Sequence, residues 1–171
     1  MRDDSEVPGD AESETRPVPV FRASDAGQPP ARELIEAMVE ELEQFYGRID
    51  KPGMPSATAA DFRAPSGVCL VGWLEDQALC VGAVKRLGAG LAEIKRMYVA
   101  PAGRSRGLAR ALLSALEDAA RDLGYSRVRL DTGPRQPHAR ALYLSAGYRE
   151  IADYNGNPAA SFWGEKPLQG I

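Results

Sequence analysis

At 171 residues, with 44% hydrophobic and 26% charged side chains, the chain is long enough for one packed core and has a globular make-up. A formal net charge of −3 argues against sequence-independent nucleic-acid binding, which needs a basic field. No run approaches the roughly 18–20 apolar residues that cross a bilayer, and the amino terminus lacks the basic start and apolar stretch of a secretory signal. The expectation is therefore a cytoplasmic protein with no membrane or nucleic-acid partner.

Residues 1–17 carry almost no large apolar side chains and are expected to form a disordered acidic tail ahead of one domain over 18–171. Val18 to Arg22 reads as a short strand, an edge strand because of Pro19. Ser24 or Asp25 and Pro29-Pro30 announce a helix, whose stripe of Leu34, Ile35, Met38, Val39, Leu42 and Phe45 recurs every 3.6 residues up to Gly47. A loop rich in Pro, Gly, Ser and Ala follows, to Gly67. Three strands then meander over Val68–Leu74, Ala78–Arg86 and Leu91–Val99. Cys69 and Cys80 lie inside these apolar runs and read as buried, reduced thiols. With no CxxC and only His138 as an imidazole, no metal site is expected.

From about Gly103 to Leu123 the pattern is helical, with Leu108, Leu112, Leu116 and Leu123 on one face and Gly124 closing it. Arg127–Thr132 is a strand, Pro137–Ala146 a shorter helix ended by Gly147. Tyr148–Tyr154 and Phe162–Lys166 are a terminal strand pair. The order β-α-β-β-β-α-β-α-β-β gives an α/β (α+β) fold with a mixed sheet against helices.

The stretch Val99-Ala100-Pro101-Ala102-Gly103-Arg104-Ser105-Arg106-Gly107-Leu108-Ala109 joins a strand to the long helix. Small residues let a ligand approach the backbone, and a helix start offers unpaired N–H groups and a positive dipole end, which suits a pyrophosphate. Arg104, Arg106 and Arg110 crowd that end, against the dipole's preference, and a bound polyanion would offset the conflict; three solvated arginines are the alternative. There is no GxxxxGK[ST], and Gly88-Ala89-Gly90 precedes a strand, so both common nucleotide loops are excluded.

Arg104-Ser105-Arg106-Gly107-Leu108-Ala109 resembles the [QR]-x-x-G-x-[GA] acetyl-CoA signature of the GCN5-related N-acetyltransferase (GNAT) family. Ala92 to Pro101 resembles the strand leading into that loop. Ala139-Arg140-Ala141-Leu142-Tyr143-Leu144-Ser145-Ala146-Gly147-Tyr148 resembles the family's A-x-x-L-Y-x-x-x-G-[FY] helix. The resemblance implies a mainly antiparallel sheet with a splayed central strand pair, and direct acetyl transfer from acetyl-CoA to an amine. It places Met97, Tyr98 and Val99 on the bulged strand beside the pantetheine arm, with the backbone of Met97 and Val99 holding its amides. It places the amides of Arg104, Ser105, Arg106, Gly107, Leu108 and Ala109 at the pyrophosphate. Tyr143 matches the general acid that protonates the leaving thiolate, and Glu93 the strand glutamate that serves as general base, here through water.

Strand alternation puts Glu93 and Lys95 on the face of Met97 and Val99; a salt-bridged Glu93 with no proton role is the competing reading. Gln136, a departure, stands where the family commonly has asparagine, and although its arm is longer it can still hydrogen-bond the cofactor. His138, after Pro137, reads as an exposed capping-turn residue. The acceptor stays open among small-molecule, peptide and protein amines, and the terminal strands offer a surface for a homodimer. Two other classes remain beside the enzyme: a non-catalytic acyl-CoA-binding regulatory domain, and an unrelated α/β module holding some other anion.

Overall fold

In the computed structural model, residues 17–49 and 55–168 are described; the acidic tail expected over 1–17 lies almost wholly outside them. The elements in order are β1 (Val20–Ser24), α1 (Ala31–Tyr46), β2 (Val68–Leu74), β3 (Gln77–Gly88), β4 (Leu91–Val99), α2 (Leu108–Asp122), β5 (Arg127–Thr132), α3 (Pro137–Ser145), β6 (Arg149–Glu150) and β7 (Phe162–Pro167). The seven strands form one sheet in the order β1-β2-β3-β4-β5-β7-β6, antiparallel except between β4 and β5. The order of elements and the mainly antiparallel sheet are those expected.

The two helical stripes determine the layers. Leu108, Leu112, Leu113, Leu116 and Ala120 of α2 are buried on one face of the sheet, against Val84, Ala92, Ile94, Val128 and Leu130. Each buried leucine contributes about 1.5–3 kcal/mol, so truncating Leu112 to alanine would cost about 2–5 kcal/mol. Ala31 and Leu34 of α1 pack on the opposite face with Cys69, Val71, Val81 and Ala83. Gly47 and Gly124 end α1 and α2 with φ of 68° and 86°, the left-handed region where glycine carries no Cβ penalty.

Several boundaries differ from the sequence reading. β1 starts at Val20, so Pro19 precedes it, while the strand lies at the edge of the sheet as expected. Pro30 caps α1 with no side-chain hydrogen bond, because Asp25 is engaged elsewhere: it accepts from Gly27 N–H at 2.8 Å and pairs with Arg63 at 2.8 Å. α2 begins at Leu108, five residues later than expected, since Pro101–Gly103 form a 3-10 turn and Ser105 and Gly107 take positive φ. β6 is only Arg149–Glu150; after one more bond to β7, from Ile151 N–H to Trp163 O at 2.8 Å, the chain leaves the sheet and carries Tyr154 and Asn155 to Glu93.

Candidate active site

The ladder between β4 and β5 is short. It pairs Leu91, Ala92 and Glu93 with Arg127, Val128 and Arg129, although β4 runs on to Val99 and β5 to Thr132. From Ile94 onward the two strands part, which gives the splayed central pair. A bulge in β4 accompanies the split: Val81 faces Tyr98 and Ala83 faces Lys95, so Arg96 and Met97 together oppose Gly82. Arg96 takes φ of 59° to do so.

The bulge corrects one expectation. Simple alternation would set Glu93, Lys95, Met97 and Val99 on one face. The inserted residue shifts the phase, so Met97 and Val99 join Ile94 in the α2-side core. Glu93 and Lys95 point to the α1 side. Backbone direction follows the same geometry. Ala100 N–H bonds Leu79 O at 2.8 Å on β3, so by alternation Val99, and Met97 beside the bulge, turn their amide groups into the split. Val99 O already accepts from Arg104 Nε at 3.1 Å and retains a second lone pair. Tyr98 is placed differently: its amide faces β3, and its hydroxyl reaches Glu41 at 3.4 Å on α1.

At the mouth of the split, the first helical bond of α2 is Ala111 N–H to Gly107 O at 3.2 Å. Among the described residues, the amides from Ser105 to Ala109 donate to no backbone carbonyl in hydrogen-bonding geometry. A Cβ built on Gly107 would meet nothing within 4 Å, so these donors open onto free space. Their neighbouring arginines are partly engaged: Arg104 pairs with Glu41 at 2.5 Å, and Arg110 donates to Ser145 on α3 at 2.5 Å. Arg106 is exposed. An open strand edge leading to unpaired amides at a helix start fits the pantetheine and diphosphate of coenzyme A.

A cleft of about 160 Å³ passes through the split, lined by Ile94 to Met97 of β4, Asp131 and Thr132 of β5, Tyr143 of α3, and Met38, Leu42 and Tyr46 of α1. Tyr143 is 6% exposed; its ring packs on Tyr148 and Phe162, and its hydroxyl donates to Met97 Sδ at 3.8 Å. Burial, with the Asp131 charge behind it, pushes that phenol well above the usual tyrosine range and keeps it protonated. Gln136 also lines the cleft, its Oε1 accepting from Thr132 Oγ1 at 3.2 Å and Gly133 N–H at 3.3 Å. His138 is exposed at the start of α3.

Glu93 is 3% exposed and does not line the cleft itself. Its Oε1 accepts from Tyr154 Oη at 2.8 Å, Lys95 Nζ at 3.2 Å and Asn155 Nδ2 at 3.3 Å, while Lys85 Nζ lies 4.0 Å from Oε2. Asn155 Nδ2 also donates to Asp131 Oδ2 at 2.5 Å, and Trp163 Nε1 fixes the amide by donating to Asn155 Oδ1 at 3.0 Å. Burial and the Glu93 and Asp131 charges push the Tyr154 hydroxyl strongly upward. Sequence reasoning passed over Asp131, Arg96, Tyr46 and Asn155. None carries a signal in the sequence: Asp131 sits at an ordinary polar position of the alternating strand Arg127–Thr132.

The sequence pattern of the acetyltransferase (GNAT) family matches residues 35–148 of the chain. The chain is similar to an IAA acetyltransferase of Azospirillum brasilense, 31% identical over 150 residues that cover 84% of this chain and 96% of the relative. Its fold resembles an acetyltransferase of the GNAT family from Staphylococcus aureus MU50, with a TM-score of 0.72 at 13% identity over 89% of this chain and 100% of the other. It also resembles an aminoglycoside 6'-N-acetyltransferase complexed with coenzyme A, with a TM-score of 0.64 at 13% identity over 89% and 98% of the two chains. The chain therefore belongs to the acetyltransferase (GNAT) family: it is an acyl-CoA-dependent N-acetyltransferase that takes its acetyl group from acetyl-CoA.

Proposed function

We propose that the acceptor is a small-molecule amine, which enters the split from the α1 face and meets the thioester between β4 and β5. The observation that carries this reading is the cleft itself, which spans both sides of the split and brings Tyr143 and Asp131 to its walls. In this reading the backbone of Met97 and Val99 orients the pantetheine arm. The amides from Ser105 to Ala109 hold the diphosphate; that of Arg104, expected to join them, already donates to Pro101 O at 3.2 Å. Tyr98 supports the strand by packing toward Arg104, whose guanidinium lies 5.8 Å from its ring. Gln136 braces the far wall of the cleft.

Tyr143 donates to the sulfur as negative charge develops there. A thiol with a pKa of roughly 8.5 is a stronger acid than this tyrosine, so a hydrogen bond to the thiolate costs less than full proton transfer. Glu93 assists removal of the ammonium proton through water or through Tyr154. A second reading is favoured by the lining of the cleft: Asp131 takes the proton directly, and Glu93 positions it through Asn155. Pre-ordering both reactants in one cleft supplies much of the acceleration.

A cytoplasmic setting agrees with this small-molecule reading, and among the described residues no helix is long and apolar enough to cross a membrane. A homodimer would use a sheet edge, and the two-residue β6 offers little of one, which directs attention to β1. The test is a screen of primary amines that reads release of free CoA. Turnover with at least one small amine is the expected result. Acetyl-CoA that binds with no amine promoting its turnover would favour the non-catalytic regulatory reading.

A further inference from the structure

Arg96 stands out among the cations on the α1 side of the split. Lys95 and Lys85 both face Glu93, and Arg129 is paired with Glu165 at 2.7 Å. Arg96 lines the cleft, yet among the described residues it has no carboxylate within ion-pair distance, and its Nη2 donates only to Ala57 O at 3.3 Å. Burial lowers its pKa, the mark of a cation withdrawn from water without a counter-charge. A guanidinium offers five N–H donors in a planar fork, and a sequestered one is normally matched by an anion. The backbone holds it there at a cost: φ of 59° is uncommon for a residue other than glycine and is imposed by the bulge.

The rest of the cleft says what kind of anion would arrive. Asp131 on β5 supplies a negative group for an ammonium, and Met38 and Leu42 of α1 supply an apolar wall. A space of about 160 Å³ suits a small molecule. We propose that Arg96 is the acceptor-carboxylate site, and that the amine acetylated here is a free amino acid with an apolar side chain lying against α1. This rests on the amine-acetylating reading of the split. Arg96 and the acceptor carboxylate form a bidentate ion pair, Asp131 faces the ammonium, and the side chain contacts Met38 and Leu42.

The test pairs common apolar L-amino acids with their carboxamides, which keep the amine and side chain and lose the negative charge. Two readouts are taken on the full chain: thermal stabilisation in the presence of CoA, and kcat/KM from CoA release with acetyl-CoA. Wild type should prefer the acid over its amide by roughly tenfold to a hundredfold, the range of one charge-assisted hydrogen-bonding group. Arg96→Gln should abolish that preference and leave the KM for acetyl-CoA unchanged, while Arg96→Lys should keep part of it. Equal response of wild type to acid and amide, or to neither, overturns the proposal without any variant, so misfolding of Arg96→Gln does not shield it. Acid-selective stabilisation without CoA release keeps the carboxylate site and sinks the transfer reading. CoA release with no acid preference does the reverse.

Discussion

Replacing Tyr143 by phenylalanine separates catalysis from packing at the centre of the split. The ring is held by Tyr148 and Phe162, with centroids at 5.8 and 6.5 Å, and phenylalanine keeps both contacts. Among the described residues the hydroxyl's one hydrogen bond is to Met97 Sδ, at 3.8 Å, and a thioether is a weak acceptor. Removing it should therefore change stability by less than about 1 kcal/mol, or about 2–4 °C in Tm for a chain of this size. Catalysis should respond very differently. A preorganised hydrogen-bond donor aimed at developing charge contributes roughly 10²–10³-fold, or about 2.7–4 kcal/mol of barrier. Initial rates of CoA release and a thermal melt on the same preparation decide the matter. Because burial keeps the phenol protonated past pH 10, Tyr143 should add no falling limb to the wild-type rate below that pH. A Tyr143→Phe enzyme with kcat within twofold of wild type would refute the donor role, and a collapse in Tm would show that the hydroxyl has a structural partner instead.

Glu93→Gln and Asp131→Asn distinguish the two routes for the acceptor's proton. If Asp131 is the base, its substitution should lower kcat/KM by at least about a hundredfold and steepen the pH dependence, with Glu93→Gln the milder of the two; the opposite ranking restores Glu93 as base. Gly107→Ala should lower Tm by only a few degrees, for about 1–2 kcal/mol of backbone strain at φ of 79°, but should raise the KM for acetyl-CoA several-fold; an unchanged KM would place the diphosphate elsewhere. Burial pushes the Cys69 and Cys80 thiols up to about 11 from 9.0. The unfolded chain ionises first as pH rises, so the stability these neutral thiols contribute is intact below pH 9 and is lost between pH 9 and 11. Urea denaturation across that window should show the decline, and a Cys69→Ala/Cys80→Ala variant should show a shallower one.

The parts of the fold written in local pattern could be read from the sequence. The stripe Leu108, Leu112, Leu116 gave α2, and the alternating apolar run from Val68 to Val99 gave three strands whose edges matched at Val68–Leu74 and Leu91–Val99. The phosphate-facing loop was legible because its chemistry is backbone chemistry, which small residues at a helix start announce. What escaped depends on contacts distant in sequence. Asn155 joins Asp131 to Glu93 across 24 and 62 positions, and Tyr46 accepts from Arg135 N–H across 89. No periodicity encodes such pairs. β6 was read too long for the same reason: Ile151 to Tyr154 keeps strand-like composition, while the pull of Tyr154 and Asn155 toward a buried carboxylate decides its path.

The bulge at Arg96 and Met97 shows how one extra residue organises the chemistry. Without it, β4 would present Glu93 and Val99 on one face, and both reactants would compete for one side of the sheet. With it, the residues before the bulge put charge on the α1 side, and those after it put Met97 and Val99 on the α2 side, next to the Tyr143 hydroxyl. The amide groups of the last turnless stretch of β4 are left facing a strand that is no longer there, since β5 has already diverged beyond Arg129. A donor's extended arm can occupy that vacant strand position, with an acid on one side of it and an amine pocket on the other. Arg96 is the residue of β4 that takes the left-handed backbone, and among the described residues it is also a cleft cation with no carboxylate in ion-pair reach. Strain in β4 and selectivity for the acceptor thus fall on the same side chain, which is why changing Arg96 should alter what the enzyme acetylates before it alters how the enzyme holds its donor.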